Sequence, residues 1–229
     1  MSPAQPEGYL AAPPAEGGHP VLVLHAWWGL NAALKAFCDR LAGAGFVAFA
    51  PDLYHGRVAD TIPAAEALAG ALRPQYPRAK AEVAEAARFV SQRAGGSGRG
   101  LAVIGFSLGA FYALDLAAAD SDRLRSVVLF YGTGGGDFSR SKAAFLGHFA
   151  GHDPYEPPAE VDALELALKQ AGCPVTFHRY PGTGHWFFEP DRSDAYHPAA
   201  AGLAWERTLA FLNRPAELEN RDTEDEEAG

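Results

Sequence analysis

The sequence predicts a single α/β domain, a mostly parallel central sheet with helices on both faces, and three observations carry that expectation. Short β-rich runs alternate with longer, Ala-rich stretches of helical period. The β-rich runs are apolar almost throughout, as strands buried on both faces are. Gly, Pro and Asp stand at most changes of type, and neither an internal repeat nor a linker longer than a loop divides the 229 residues.

In chain order, "GYLAAP" (8–13) reads as a short edge strand. "PVLVLHA" (20–26) is the first long apolar strand, followed by a helix over 31–44. "FVAFAP" (46–51) is the next strand. Helical stretches at 63–72 and 77–94 lead to the Gly-rich joint "RAGGSGRG" (93–100). "GLAVIGF" (100–106) then runs into a helix over 108–119. "SVVLFYG" (126–132) and "AAFLGHFAG" (143–151) are further strands. A helix over 159–171, the strand "VTFHRYPG" (175–182) and a final helix over 198–213 complete the set.

Composition narrows the classes of function. The net charge is −9. The segment 216–229, "AELENRDTEDEEAG", carries seven acids against one arginine, so six of those nine charges sit there. The body, near −3, gives no electrostatic footprint for nucleic acid. We expect one domain over 1–214 and an acidic, solvated, disordered tail over 215–229. Cys38 and Cys173 are too few for a disulfide framework and form no CxxC pair, so no metal site is expected. No secretory leader or membrane-length apolar run is present, which points to a cytoplasmic protein. Nothing in the chain sets an oligomeric state, and a monomer is compatible with it.

In sheets of this kind reactive groups follow the strand ends. Three such positions stand out, in the order Ser, Asp, His. Residues 103–111, "VIGFSLGAF", place Ser107 in a G-x-S-x-G pattern between a strand and a helix. There the chain reverses within a few residues, the glycines remove Cβ atoms that would collide, and N–H groups at the helix start face developing negative charge. "AGHDPYEP" supplies Asp153, and "PGTGHWFF" supplies His185. Taken singly, the pentapeptide is a recurrent turn, Asp153 a turn opener before proline, and His185 a buried structural histidine. Together, their order and placement match a nucleophile, acid and base. His25 reads as loop support and His148 as structural, while His152 competes beside Asp153.

Several stretches together resemble the dienelactone hydrolase family over roughly 8–214. They are "HAWWGLN" (25–31), "FAPDLYHGR" (49–57), "GFSLGA" (105–110), "GHFAGHDPYEP" (147–157), "GTGHWF" (182–187) and "AAAGLAWERTLAFL" (199–212). The resemblance implies an α/β-hydrolase fold without a separate lid domain. It also implies hydrolysis of a small-molecule ester or lactone through an acyl-enzyme, with no cofactor. Ser107 falls on the family's nucleophile, Asp153 on its acid and His185 on its base, with oxyanion donors at the backbone N–H groups of Leu108 and Trp27. Three positions depart from the dienelactone-cleaving members: Ser107 stands where cysteine is typical, Ala26 where a glutamate manages the thiol, and Glu189 where an arginine holds the substrate carboxylate. These changes agree with one another and imply serine chemistry on a neutral acyl group, Glu189 repelling anions. Trp28, Tyr54, Trp186 and Phe187, with Trp27 and Glu189, are candidates for the substrate pocket, core packing being the alternative for each aromatic. The rival readings are an inactive scaffold that binds a ligand or partner, and a thioesterase or peptidase on the same fold.

Overall fold

Along the central strands, successive side chains enter two different cores. Val21 and Val23 join one and Leu22 and Leu24 the other; Ala102 and Ile104 are separated in the same way from Leu101 and Val103. This is the two-residue period of a strand covered on both faces. The computed structural model describes residues 4–15, 17–95, 100–119 and 123–214. The acidic segment 215–229 and residues 96–99 of the Gly-rich joint lie outside them.

The strands are β1 (Gly8–Ala11), β2 (His19–Leu24), β3 (Phe46–Pro51), β4 (Leu101–Phe106), β5 (Leu124–Phe130), β6 (Ala144–Ala150) and β7 (Val175–Tyr180). They form one sheet in the order β1-β3-β2-β4-β5-β6-β7. The β1–β3 pair is antiparallel and every other pair parallel, so the expected edge strand is present. The helices are α1 (Ala32–Gly43), α2 (Ile62–Leu72), α3 (Tyr76–Arg93), α4 (Leu108–Ala119), α5 (Pro158–Gln170) and α6 (Pro198–Leu212). α1 and α6 cover one face; α3, α4 and α5 cover the other. α1 begins where Asn31 ends the turn: its Oδ1 accepts from the Leu34 N–H at 3.0 Å.

This order positions the site. β2 is followed by a helix on one face and β4 by a helix on the other, so the loops leaving these neighbouring strands diverge. That divergence is the switch point at which open α/β sheets form their crevice. Trp27 lies in the loop after β2 and Ser107 immediately after β4. Gly109 explains why the two segments approach so closely. A Cβ added there would stand 2.2 Å from the Leu24 carbonyl oxygen, and one on Gly105 would stand 2.4 Å from that of Gly109. Both neighbours are backbone and cannot move aside, so each glycine is required by the packing.

Candidate active site

Ser107 occupies the left-handed region, with φ +49°, at the junction of β4 and α4. A non-glycine residue there is strained, and the surrounding bonds hold it. Its N–H donates to the Phe130 carbonyl at 2.9 Å, and its own carbonyl accepts from the Ala110 N–H at 2.8 Å. The hydroxyl is left partly exposed above the sheet. Leu108, the first residue of α4, has no carbonyl one turn earlier to receive its N–H.

The loops after β6 and β7 bring the other two groups to Ser107. His185 Nε2 lies 3.0 Å from Ser107 Oγ, and His185 Nδ1 lies 2.7 Å from Asp153 Oδ2. Asp153 Oδ1 accepts from the N–H groups of Tyr155 at 2.9 Å and Glu156 at 3.2 Å. The carboxylate is thus fixed at both oxygens. Because it only accepts, Nδ1 carries the imidazole proton and Nε2 is left free to accept from the serine hydroxyl. Thr183 ties the two loops together: its carbonyl accepts from the His152 N–H at 3.0 Å, and its hydroxyl donates to the Tyr180 carbonyl at 2.7 Å. Asp153 and His185 are both buried.

The other histidines do different work. His25 donates from Nδ1 to the Ala26 carbonyl at 2.7 Å and accepts at Nε2 from the Leu53 N–H at 3.3 Å. It therefore pins the loop after β3, and burial lowers its pKa. His148 is buried between Tyr180 and Thr208, at 2.8 and 3.0 Å. The Thr208 hydroxyl already donates to the Ala204 carbonyl, so His148 donates from Nε2 and accepts from Tyr180 at Nδ1. Burial, then His178 and Arg207, hold its pKa well below the usual range. His152 is exposed, and its neighbour Asp153 is the residue that reaches the histidine of the site.

The aromatic candidates divide. Trp27 is partly exposed and packs on Trp28, Trp186 and Tyr155, with centroids 5.5, 5.7 and 5.6 Å away. Trp186 meets the His185 ring edge-on at 4.9 Å. The expectation for Tyr54 and Phe187 is corrected. Tyr54 is fully buried against His25, in the core on the α3 and α4 face. Phe187 is fully buried between Tyr131 and Tyr180. Both close the interior beneath their loops, where apolar area is most effectively removed from water.

Some neighbours of the triad escaped the sequence reading. Tyr155 stands 4.9 Å from the His185 ring. Glu156 accepts from the Thr133 hydroxyl at 2.6 Å, and burial pushes its carboxyl up to about 7. Tyr131, fully buried and 5.0 Å from the His185 ring, donates to Glu189 Oε1 at 2.9 Å.

The reading of Glu189 changes as well. Burial pushes this carboxyl up to about 8, against the pull of the Tyr131 hydrogen bond. The rise favours the uncharged form of this carboxyl, because burial penalises the carboxylate. The shift also sets a sign for stability. The folded pKa lies above the ordinary 4.5, so the native state holds an extra proton between the two values, and stability falls as pH rises from about 4.5 to about 8. Glu189→Gln keeps an acceptor for Tyr131 and removes that loss. Denaturant titrations at about pH 5 and about pH 8.5 should show the variant gaining on the parent at the higher pH, by on the order of 2 kcal/mol after allowance for partial exposure. An equal difference at both pH values would contradict the assignment.

Among the described residues no group of three or more His, Cys, Asp or Glu side chains is arranged to hold a metal ion, and no helix is long and apolar enough to cross a membrane.

Comparison with known proteins points to one family. The profile of the dienelactone hydrolase family matches residues 7–215. "Protein usf" of Aquifex pyrophilus is 32% identical over 90% of this chain and 91% of its own length. A protein of Aquifex aeolicus, provisionally named carboxymethylenebutenolidase, is 30% identical over 90% and 91%. A crystal structure from Klebsiella pneumoniae, provisionally titled a dienelactone hydrolase, superposes with a TM-score of 0.79 at 26% identity, covering 91% of this chain and 92% of its own.

Proposed function

The chain belongs to the dienelactone hydrolase family and is an ester or lactone hydrolase of the α/β-hydrolase fold; from that premise we propose that it works as a serine hydrolase, through a covalent acyl-enzyme on Ser107. The observation that carries the proposal is the chain of two short contacts, Ser107 Oγ to His185 Nε2 at 3.0 Å and His185 Nδ1 to Asp153 Oδ2 at 2.7 Å.

Each group has a defined task. As Ser107 Oγ attacks the carbonyl carbon, its proton passes to His185 Nε2 and the carbonyl π electrons move to oxygen. The N–H groups of Leu108 and Trp27 hold that oxyanion; one such donor is typically worth about 3 kcal/mol of transition-state stabilisation. Asp153 keeps the imidazole in the accepting tautomer and stabilises its cationic form. When the tetrahedral carbon collapses, the bond to the leaving oxygen breaks and that oxygen takes the proton from His185. Water then attacks the acyl-enzyme by the same route, giving its proton to His185. The acyl–Ser107 bond breaks, and Ser107 recovers its proton. The substrate is a small-molecule ester or lactone.

The competing nucleophile is a thiol, and burial argues against it. Cys38 is fully buried with its pKa pushed up to about 12, and burial also raises that of Cys173. A thiol so protonated is a poor nucleophile. Activity toward a p-nitrophenyl ester should survive iodoacetamide and disappear with a fluorophosphonate. Rapid loss on thiol alkylation would overturn the proposal, and indifference to the fluorophosphonate would favour an inactive scaffold.

A further inference from the structure

A cavity of about 260 Å³ opens on the face of the sheet that carries α1 and α6. Ser107 and His185 do not line it, yet Ala26 and Phe106 do, and these directly precede Trp27 and Ser107. The compartment therefore adjoins the two segments that carry Trp27 and Ser107, at the switch point of the sheet. We propose that it receives the acyl portion of an uncharged ester or lactone larger than an acetate. This rests on the hydrolase reading above and adds the substrate class.

Three features set that class. The first is the lining. Trp28, Phe37, Phe106 and Phe188 supply aromatic walls, and the methyl group of Ala26 leaves the space beside the loop open. The volume lies just under the range of about 300–1,000 Å³ common for small-molecule pockets, which suits a ring or short branched chain.

The second is an unspent donor. Trp28 is 2% exposed, and its indole N–H has no partner among the described residues. A buried polar group left unpaired is unusual; this N–H is itself enclosed, so an ester, ether or carbonyl oxygen of a bound ligand would satisfy it only after a turn of the ring brings it to the cavity surface.

The third is the charge balance. Glu189 is the acidic residue of the lining and Arg40 the basic one. Arg40 is exposed and laid across the Trp205 ring at 3.9 Å. Arg192, beneath Trp28 at 4.1 Å, is engaged by Asp191 and the Asp60 carbonyl. An anionic acyl group would thus give up its water beside a carboxyl and against aromatic walls, the basic residue of the lining, Arg40, being exposed and already stacked on Trp205.

The test uses a position outside the triad. Gly202 lines the cavity from α6, and a Cβ built there meets no heavy atom within 4 Å. Gly202→Phe therefore starts its side chain in open space at the cavity wall, and Gly202→Ala serves as the small control. The readout is kcat/KM for p-nitrophenyl acetate, p-nitrophenyl cyclohexanecarboxylate and the anionic p-nitrophenyl hemisuccinate. The parent protein should prefer the cyclohexane ester to both others. Gly202→Phe should lower the ratio of cyclohexane to acetyl ester by tenfold or more, and Gly202→Ala by less than threefold. A preference for the hemisuccinate, or a ratio unmoved in Gly202→Phe, would overturn the cavity assignment and leave the hydrolase reading standing. Failure of the parent to cleave any of the three would remove both.

Discussion

Ser107→Ala should lower kcat for a simple ester by about 10⁴-fold or more, the scale on which loss of a triad nucleophile acts. The change removes one oxygen and little else. The left-handed backbone at φ +49° is borne by serine already, so alanine adds no new class of strain. The lost bond to His185 Nε2 is partly exposed at its serine end, so stability should shift by no more than about 1 kcal/mol. Circular dichroism and denaturant unfolding run beside the ester assay separate the two effects. A folded variant within tenfold of the parent rate would show that another group attacks the substrate.

Asp153→Asn should be nearly as damaging, with an expected loss in kcat of about 10⁴-fold and a far smaller change in KM. The reason lies in the hydrogen-bond directions around the carboxylate. Its Oδ1 position accepts from two backbone N–H groups, those of Tyr155 and Glu156. An asparagine must place its oxygen there, which turns its NH₂ toward His185 Nδ1. A donor would then face a donor, and the imidazole would shift its proton to Nε2. In that tautomer Nε2 cannot accept the serine proton. Steady-state kinetics with a stability control checks this. A loss below tenfold would mean that Asp153 does not set the tautomer.

The fold was legible because its signals are local. A two-residue alternation between two cores forces each central strand to be apolar throughout, so runs such as 46–51 coincide with observed β3, and the helix beginning at 108 follows from the elbow itself. The contact chain of Ser107, His185 and Asp153 was legible because each member lies in the loop that leaves a strand. What escaped depends on contacts between distant loops. Thr133 and Glu156, or Tyr131 and Glu189, meet only after the sheet has assembled, and no spacing announces them. Tyr54 and Phe187 misled for a related reason: an aromatic next to a motif looks the same in sequence whether its ring enters a pocket or seals a core. The ionisation of Glu189 also needed the fold, since its pKa is set by burial and by a tyrosine 58 positions away.

The central claim is that the acyl group travels on Ser107. Rapid acid quenching of the parent protein with a slowly hydrolysed p-nitrophenyl ester, followed by mass spectrometry of the intact chain and its peptides, tests it most directly. The account predicts a mass increase of one acyl group per chain, confined to the peptide holding Ser107 and absent from Ser107→Ala. An acyl group found stoichiometrically on Cys38, Cys173 or any other side chain, or turnover with no acyl-enzyme trapped at all, would contradict it.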